Sequence, residues 1–410
     1  MTHSREVAQT ASTGKDQENK VNVQGVLSPE IYSTIWKIAA PALDKEDPPT
    51  EFPHYTIPGT DRYEYMPPFR WTSGFFPGSI WALYERQLKK NGDAESAPIN
   101  KEQLLKAGRH WEAGLIEQQF NTNTHDIGFL IMPAFQRDYE LTGNKQSLDI
   151  IIQAAKSLTT RYSPKTKAIR SWDQKTSLSY SYTDMDKYFL VIIDNMMNLE
   201  LLYYAAEKSG NKEFYDIATT HAETTLKNHF RPDNSSYHLV VYDTQNGDVI
   251  GKMTHQGYAD ESTWSRGQAW ALYGYAVAYK YTKDPKFLEA SKNFTEMFLS
   301  KVTDDGTVFW DFDAERPTYW DVSAGMIACS GMLLQQQLDA TLNYLPYISK
   351  ILSRAIAGSS GKGDTILEHS TVNNNSDAVP GQRIADTGLV YADYYFIETG
   401  NRLLDMGLIN

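Results

Sequence analysis

The segments Leu141-Thr142-Gly143-Asn144-Lys145, Lys208-Ser209-Gly210-Asn211-Lys212, Tyr281-Thr282-Lys283-Asp284-Pro285 and Glu398-Thr399-Gly400-Asn401-Arg402 each end an aromatic-rich or alanine-rich helical pattern with a short polar turn. The first three recur at intervals of about 67 to 73 residues, a weak internal repeat. Glycine in the first, second and fourth suits a left-handed residue that closes a helix, since it has no Cβ to clash there. Outward from these turns, apolar periodicity predicts helices over about 28–44, 75–91, 101–120, 127–142, 146–161, 194–208, 212–229, 266–282, 285–301, 322–339, 343–358 and 386–400. Twelve helices in repeating pairs make six α-hairpins, which can close into an all-α toroid. Short turns then gather at one end and long connections at the other, here 45–74, 162–185, 231–265 and 302–321; the long-loop end is the expected site face. One stretch departs from helix. Two extended runs, 237–242 and 249–253, flank Asn246-Gly247-Asp248 and predict a β-hairpin over that face, with His238, His255 and Gln256 at its ends.

Composition narrows the function. The 410 residues carry a formal charge of -12 and a pI near 5.3, with no run of four or more basic residues, which argues against a nucleic-acid partner. A single cysteine, Cys329 in an apolar stretch, excludes an intramolecular disulfide and a cysteine-based zinc site. No apolar run reaches membrane-spanning length, so no membrane partner is expected. Residues 1–24 are polar and read as a disordered tail without a signal-peptide core, ahead of one domain over 25–410. As given, the chain is expected to be cytoplasmic, or periplasmic if an export signal was removed.

Two aspartates stand at predicted helix starts: Asp126 in His125-Asp126-Ile127-Gly128-Phe129 and Asp194 in Ile193-Asp194-Asn195-Met196-Met197-Asn198. Singly, either reads as an N-cap whose carboxylate accepts from first-turn amides. As a pair on a loop-bearing face they are what sugar-cleaving chemistry requires. Trp71, Trp172, Trp264 and Trp270 lie at or beside the long loops. One tryptophan alone usually seals a core, but several on one face offer flat apolar platforms for sugar C–H surfaces. In Trp264-Ser265-Arg266-Gly267-Gln268-Ala269-Trp270, an arginine at a helix start opposes the helix dipole; it serves either a ligand or a structural carboxylate pair. His125, His238 and His255 could meet in space, but no zinc-type histidine spacing exists, so no metal is expected. Nucleophile-elbow, Walker and dinucleotide motifs are absent too, so no cofactor is expected.

From about residue 28 to the C-terminus the chain resembles the unsaturated glucuronyl hydrolases of glycoside hydrolase family 88. The resemblance is carried by 71–78 (WTSGFFPG), 124–129 (THDIGF), 193–198 (IDNMMN), 254–258 (THQGY), 264–270 (WSRGQAW) and 391–395 (YADYY). It implies a six-hairpin (α/α)6 barrel, in agreement with the helix count. It also implies that Asp194 is the general acid and base and that Asp126 is its essential partner. His125, Trp71, Trp172, His238, Gln256, Arg266 and Trp270 match family positions that contact the unsaturated sugar or shape its pocket. The implied partner is an unsaturated uronyl di- or oligosaccharide released by polysaccharide lyases, glycosaminoglycan fragments among them. The unsaturated rhamnogalacturonyl hydrolases share fold and chemistry and are the alternative enzyme; a non-catalytic glycan-binding toroid is the alternative of another class. Some relatives hold a sulfate with a Ser/Lys-containing C-terminal loop, whereas 373–380 here contains no lysine.

Overall fold

The computed structural model describes residues 25–89, 99–359 and 363–409. The expected tail at 1–24 and the last two residues of the expected helix 75–91 lie outside them.

The repeat turns fold as a two-part device. Gly143, Gly210 and Lys283 each take a left-handed φ of 76°, 74° and 55° that closes one helix. One residue later Asn144, Asn211 and Asp284 cap the next helix, their side chains accepting from Gln146, Glu213 and Lys286 amides at 3.1, 3.0 and 3.1 Å. These turns join α5 (Arg137–Thr142) to α6 (Lys145–Thr159), α7 (Asn195–Ser209) to α8 (Lys212–Asn228), and α9 (Ser265–Thr282) to α10 (Pro285–Lys301).

The fourth segment behaves differently. Gly400 lies inside α13 (Val390–Asp405), so the expected helix end at 400 is corrected. A Cβ at Gly400 would stand 2.6 Å from Arg86 Nη2. Arg86 is buried and donates to Asn401 Oδ1 at 2.8 Å and Ile397 O at 2.9 Å. The glycine thus makes room for a buried guanidinium rather than a turn.

Among the described residues six helices form a closed inner ring: α2 (Phe75–Lys89), the segment from α4 (Ile127–Ile131) through a π-helical turn at Met132–Gln136 into α5, then α7, α9, α11 (Val322–Leu338) and α13, which returns to α2. Pro133, which supplies no amide, sits in the π turn. Outside lie α1 (Glu30–Ala39), α3 (Lys101–Ala113), α6, α8, α10 and α12 (Leu345–Gly358). The expected helices 28–44 and 101–120 are shorter α-helices followed by 3-10 segments at Ala40–Asp44 and Ile116–Phe120. This is an (α/α)6 barrel, and its apolar core runs continuously from Val26 to Leu403. The inner helices all run the same way. Their N-terminal starts, with the long loops, ring one mouth, and their C-terminal turns ring the other.

The predicted hairpin exists as β8 (Leu239–Asp243) and β9 (Val249–Met253), but it is part of a three-stranded antiparallel sheet. The unpredicted third strand, β7 (Tyr188–Ile192), pairs Ile192 with Leu239 and leads directly into Asp194. Three smaller ladders also lie in the loops: β1 (Phe52–Thr56) with β2 (Tyr63–Met66), β3 (Tyr162–Ser163) with β4 (Ala168–Ile169), and β5 (Lys175–Thr176) with β6 (Ser181–Tyr182).

Candidate active site

Asp126 and Asp194 occupy the N-cap positions of α4 and α7, yet neither side chain makes a capping hydrogen bond. The reading of either as a simple cap therefore fails, and both carboxylates are left for other work. Packing between the two helix starts brings them together. A Cβ at Gly128 would meet Asn198 Oδ1 at 2.6 Å, and that oxygen accepts the Phe129 amide at 2.9 Å. Glycine in the 124–129 segment and asparagine in the 193–198 segment are two halves of one contact.

The two carboxyls sit in opposite surroundings. Burial tends to raise Asp126, but the adjacent His125 and a hydrogen bond from Thr124 (2.9 Å to Oδ2) outweigh it and hold it below the usual aspartate value. Its side chain is 15% exposed. Asp194 is 7% exposed, and burial pushes it up to about 6 against the pull of His125 and Arg266, with Asp126 adding like-charge repulsion. Its Oδ1 is buried and has no hydrogen-bond partner. Adjacent acids with separated proton affinities are a recognised sign of divided acid and base roles.

Two histidines face these acids, and backbone geometry fixes one tautomer. His238 Nδ1 receives the His255 and Gln256 amides at 3.0 and 3.3 Å, so it is an acceptor and the ring proton resides on Nε2. That Nε2, without another partner, lies 3.7 Å from Asp194 Oδ1. Burial drives the His238 imidazolium well below its normal range, which keeps the ring neutral. The sheet sets this contact: β7–β8 pairing continues through the Ile193 amide to His238 O at 3.0 Å, placing His238 beside Asp194. His125 Nε2 lies 3.2 Å from Asp126 Oδ1, and its Nδ1 is 3.2 Å from Ser171 Oγ, which also accepts the Ile192 amide at 3.0 Å.

Aromatic and cationic residues complete the walls. Trp71 is half-buried, with ring centroids 4.9 Å from Tyr391 and 5.5 Å from Phe129. Trp172 meets His238 and His255 edge-on at 5.8 and 5.3 Å. Gln256 donates from Nε2 to Val372 O at 3.0 Å, and Arg266 Nη2 donates to the same carbonyl at 2.7 Å, so 370–387 folds down over this side. Arg266 is the structural pair weighed in the sequence: Nη1 bonds Asp321 Oδ2 and Thr371 O, both at 2.6 Å, leaving only Nε unpartnered. Gln268 is wholly internal, bonding Ser236, Asn234 and Phe294. Trp270 is 0% exposed and packs behind Phe129 at 5.1 Å, so its ring presents no open stacking face. His255 is occupied by Tyr180 (Nδ1 to Oη, 2.6 Å), and among the described residues no three His, Cys, Asp or Glu side chains are grouped to hold a metal.

Sequence reading gave no role to Ser171, Asp321 or Tyr391. Tyr391 is 0% exposed, its hydroxyl is unpartnered, and it stands between Trp71 and Arg266, whose guanidinium carbon is 5.5 Å from its ring. Its place in 391–395 was the available signal.

Residues 49–333 match the model of Glycosyl Hydrolase Family 88. An unsaturated glucuronyl hydrolase of Formosa agariphila is 38% identical over 346 residues, covering 82% of this chain and 80% of that protein. Another from Bacillus sp. strain GL1 is 30% identical, covering 86% and 90%. The solved structure of an unsaturated glucuronyl hydrolase specific for heparin superimposes with a TM-score of 0.78 at 34% identity, covering 93% of this chain and 97% of that one. No helix among the described residues is long and apolar enough to cross a membrane. With two thirds of its length matched by the family model and relatives aligned across most of the remainder, the chain belongs to glycosyl hydrolase family 88.

Proposed function

We propose that the protein removes the 4,5-unsaturated glucuronic acid from the non-reducing end of lyase-generated oligosaccharides by hydrating the ring double bond. The observation that carries this reading is the Asp194 carboxyl: buried, held protonated up to about 6, with an oxygen that bonds nothing, beside an ionised Asp126. A proton held near working pH is what a vinyl ether demands. Asp194 delivers that proton to C4, and positive charge develops on C5, shared with the ring oxygen. Asp194, now a carboxylate, takes a proton from water as its oxygen adds to C5. The C5 hemiketal opens to a ketone, the former ring oxygen becomes a hydroxyl on C1, and C1 collapses to an aldehyde as the neighbouring sugar leaves. This differs from ordinary glycosidases, in which the acid protonates the glycosidic oxygen.

Asp126 serves as the ionised partner and binds sugar hydroxyls, with His125 fixing its orientation. The neutral His238 Nε2–H is aimed at Asp194 and favours its carboxylate after proton transfer. Trp71 and Trp172 flank the ring, and Gln256 and Arg266 Nε lie on the wall available to the C5 carboxylate. Trp270 supports this wall from the core.

The test is to follow the ultraviolet absorbance of an unsaturated glucuronyl disaccharide. Enzyme-dependent loss of absorbance is expected, with the saturated counterpart left intact, since it has no double bond to protonate. Cleavage of the saturated disaccharide at a comparable rate would overturn the hydration route.

A further inference from the structure

We propose that Ser171 is a positioning residue: its hydroxyl, anchored on the strand that leads to Asp194, donates to His125 Nδ1 and so fixes the His125 Nε2–H toward Asp126. This rests on the function proposed above and adds a residue to its machinery.

Ser171 is 0% exposed and is held at both backbone groups. Its amide donates to Leu190 O at 2.8 Å, and its carbonyl accepts Arg161 Nη2 at 3.3 Å. Arg161 Nη1 also donates to Thr122 O at 2.7 Å, so one guanidinium ties the loop bearing Ser171 to the loop bearing His125. Ser171 Oγ accepts the Ile192 amide at 3.0 Å and stands 3.2 Å from His125 Nδ1.

A serine hydroxyl has a single proton to donate. The Ile192 amide takes one of its acceptor sites and leaves that proton to be placed. Away from solvent, the acceptor recorded for it among the described residues is His125 Nδ1. A ring nitrogen that accepts carries no proton, so the ring proton resides on Nε2, 3.2 Å from Asp126 Oδ1. The opposite tautomer would strand the hydroxyl proton and set the Nε2 lone pair against a carboxylate.

One strand then serves both acids. Ile192 and Ile193 are consecutive, and their amides point to opposite sides of the chain. The Ile193 amide reaches His238 O at 3.0 Å and places the histidine that faces Asp194. The Ile192 amide holds Ser171, which places the histidine that faces Asp126. Thr124, Arg161 after α6, Lys175 in β5 and Asp194 also act on Asp126, and replacing the Ser171 hydroxyl leaves each of them in place.

The experiment records long-range proton–nitrogen spectra of protein labelled with 15N in its histidine rings, the His125 signals being assigned by their absence in His125→Gln. The wild type is expected to show a protonated Nε2 and an Nδ1 that accepts a hydrogen bond. In Ser171→Ala the Nδ1 signal should move downfield, to that of an unbonded acceptor. In the same variant kcat/KM for an unsaturated glucuronyl disaccharide should fall roughly 10-fold, as for a lost hydrogen bond in a chain that ends on a charged group. The alkaline limb of its pH profile, set by Asp194, should stay where it is. Ser171→Thr keeps a hydroxyl and should return both the signal and the rate toward wild type.

A protonated Nδ1 in the wild type, or an Nδ1 signal unmoved in Ser171→Ala, overturns the assignment. So does a rate loss accompanied by a shifted alkaline limb, because the alanine would then have displaced β7 and Asp194 with it. If a variant fails to fold by circular dichroism, the wild-type spectrum still decides which nitrogen carries the proton. Absence of turnover by the wild type overturns the proposed function itself, whereas a wrong nitrogen signal with turnover intact overturns the part of Ser171 alone.

Discussion

The two mouths of the barrel are built from the same residue types and treat them in opposite ways. At the short-turn end a cavity of about 210 Å³ is lined by Glu85, Arg137, Glu398 and Arg402 among others, and these charges satisfy one another. Glu398 accepts from Tyr273 at 2.8 Å, Ser330 at 2.6 Å, Arg137 at 3.2 Å and Tyr394 at 3.2 Å; Arg137 also bonds Glu85 at 3.0 Å. At the long-loop end, Asp194 Oδ1, His238 Nε2, Arg266 Nε and the Tyr391 hydroxyl are buried without hydrogen-bond partners. Buried polar groups are ordinarily hydrogen-bonded, so a cluster of unsatisfied ones marks where a ligand supplies the missing bonds. The cavity at the short-turn end is therefore the structural one. Helix direction reinforces the difference, because the inner helices turn their positive N-terminal ends toward the long-loop mouth, which suits the anionic sugar of the proposed function.

Replacing Asp194 with Asn tests the open end most severely. The shape is kept and the proton is lost, so kcat is expected to drop by about 10² to 10⁴, the usual worth of a positioned acid–base group. Near-wild-type turnover would remove Asp194 from the mechanism. At the closed end, Glu398→Gln should do the reverse. It leaves Arg137 and Arg402 short of a buried counter-charge, and breaking such a network costs about 3 to 5 kcal/mol. Chemical denaturation is expected to show the loss of stability, with kcat of the folded fraction close to wild type.

The two ends also titrate in opposite senses. Burial raises Glu85, but Arg137 and Lys89 outweigh it and bring it to about 2; its contribution is present above the ordinary glutamate value and lost as pH falls toward 2. Asp194 is raised from 3.8 to about 6, so its contribution is full below 3.8 and lost as pH rises through 6. A shift of that size corresponds to at most ~3 kcal/mol. Thermal unfolding should therefore show Asp194→Asn gaining on wild type as pH climbs from 4 to 7. In the same window wild-type kcat/KM should decline above pH 6, about tenfold per unit, as the acid loses its proton. A flat profile from pH 5 to 8 would contradict an Asp194 proton donor.

What the sequence disclosed about these two ends depended on range. Turns at 141–145, 208–212 and 281–285 were legible because capping and left-handed closure are local, so the barrel could be counted from them. Gly400 was misread because a glycine that closes a helix and one that admits Arg86 look alike in one dimension. β7 was missed because Tyr188-Phe189-Leu190-Val191-Ile192 is a continuous apolar run, without the alternation that marks a half-buried strand. The positions of Asp126 and Asp194 were legible, but their freedom from capping was not, since it depends on contacts such as Gly128 with Asn198. The His238 tautomer, set by amides 17 and 18 residues away, lay beyond any motif.

His238→Asn isolates that long-range contact. The asparagine oxygen can still accept the His255 and Gln256 amides, while the Nε2–H facing Asp194 disappears. The expected result is a kcat lower by roughly 10-fold, in line with loss of a donor that closes on Asp194 once it becomes a carboxylate, and an upward shift of the alkaline limb of the pH profile. An unshifted limb would show that His238 organises the loop and nothing more.

Trp71→Ala is the gentlest probe and separates binding from chemistry. The ring is half-buried, packed on Tyr391 and Phe129. If it is a platform for the sugar face, its removal weakens ground state and transition state alike, so KM should rise roughly 10-fold with kcat nearly unchanged. A fall in kcat with KM constant would instead mean that Trp71 sets the desolvation of Asp194. The dry wall of the open end would then be part of the acid, and the pH limb should move down toward an ordinary aspartate.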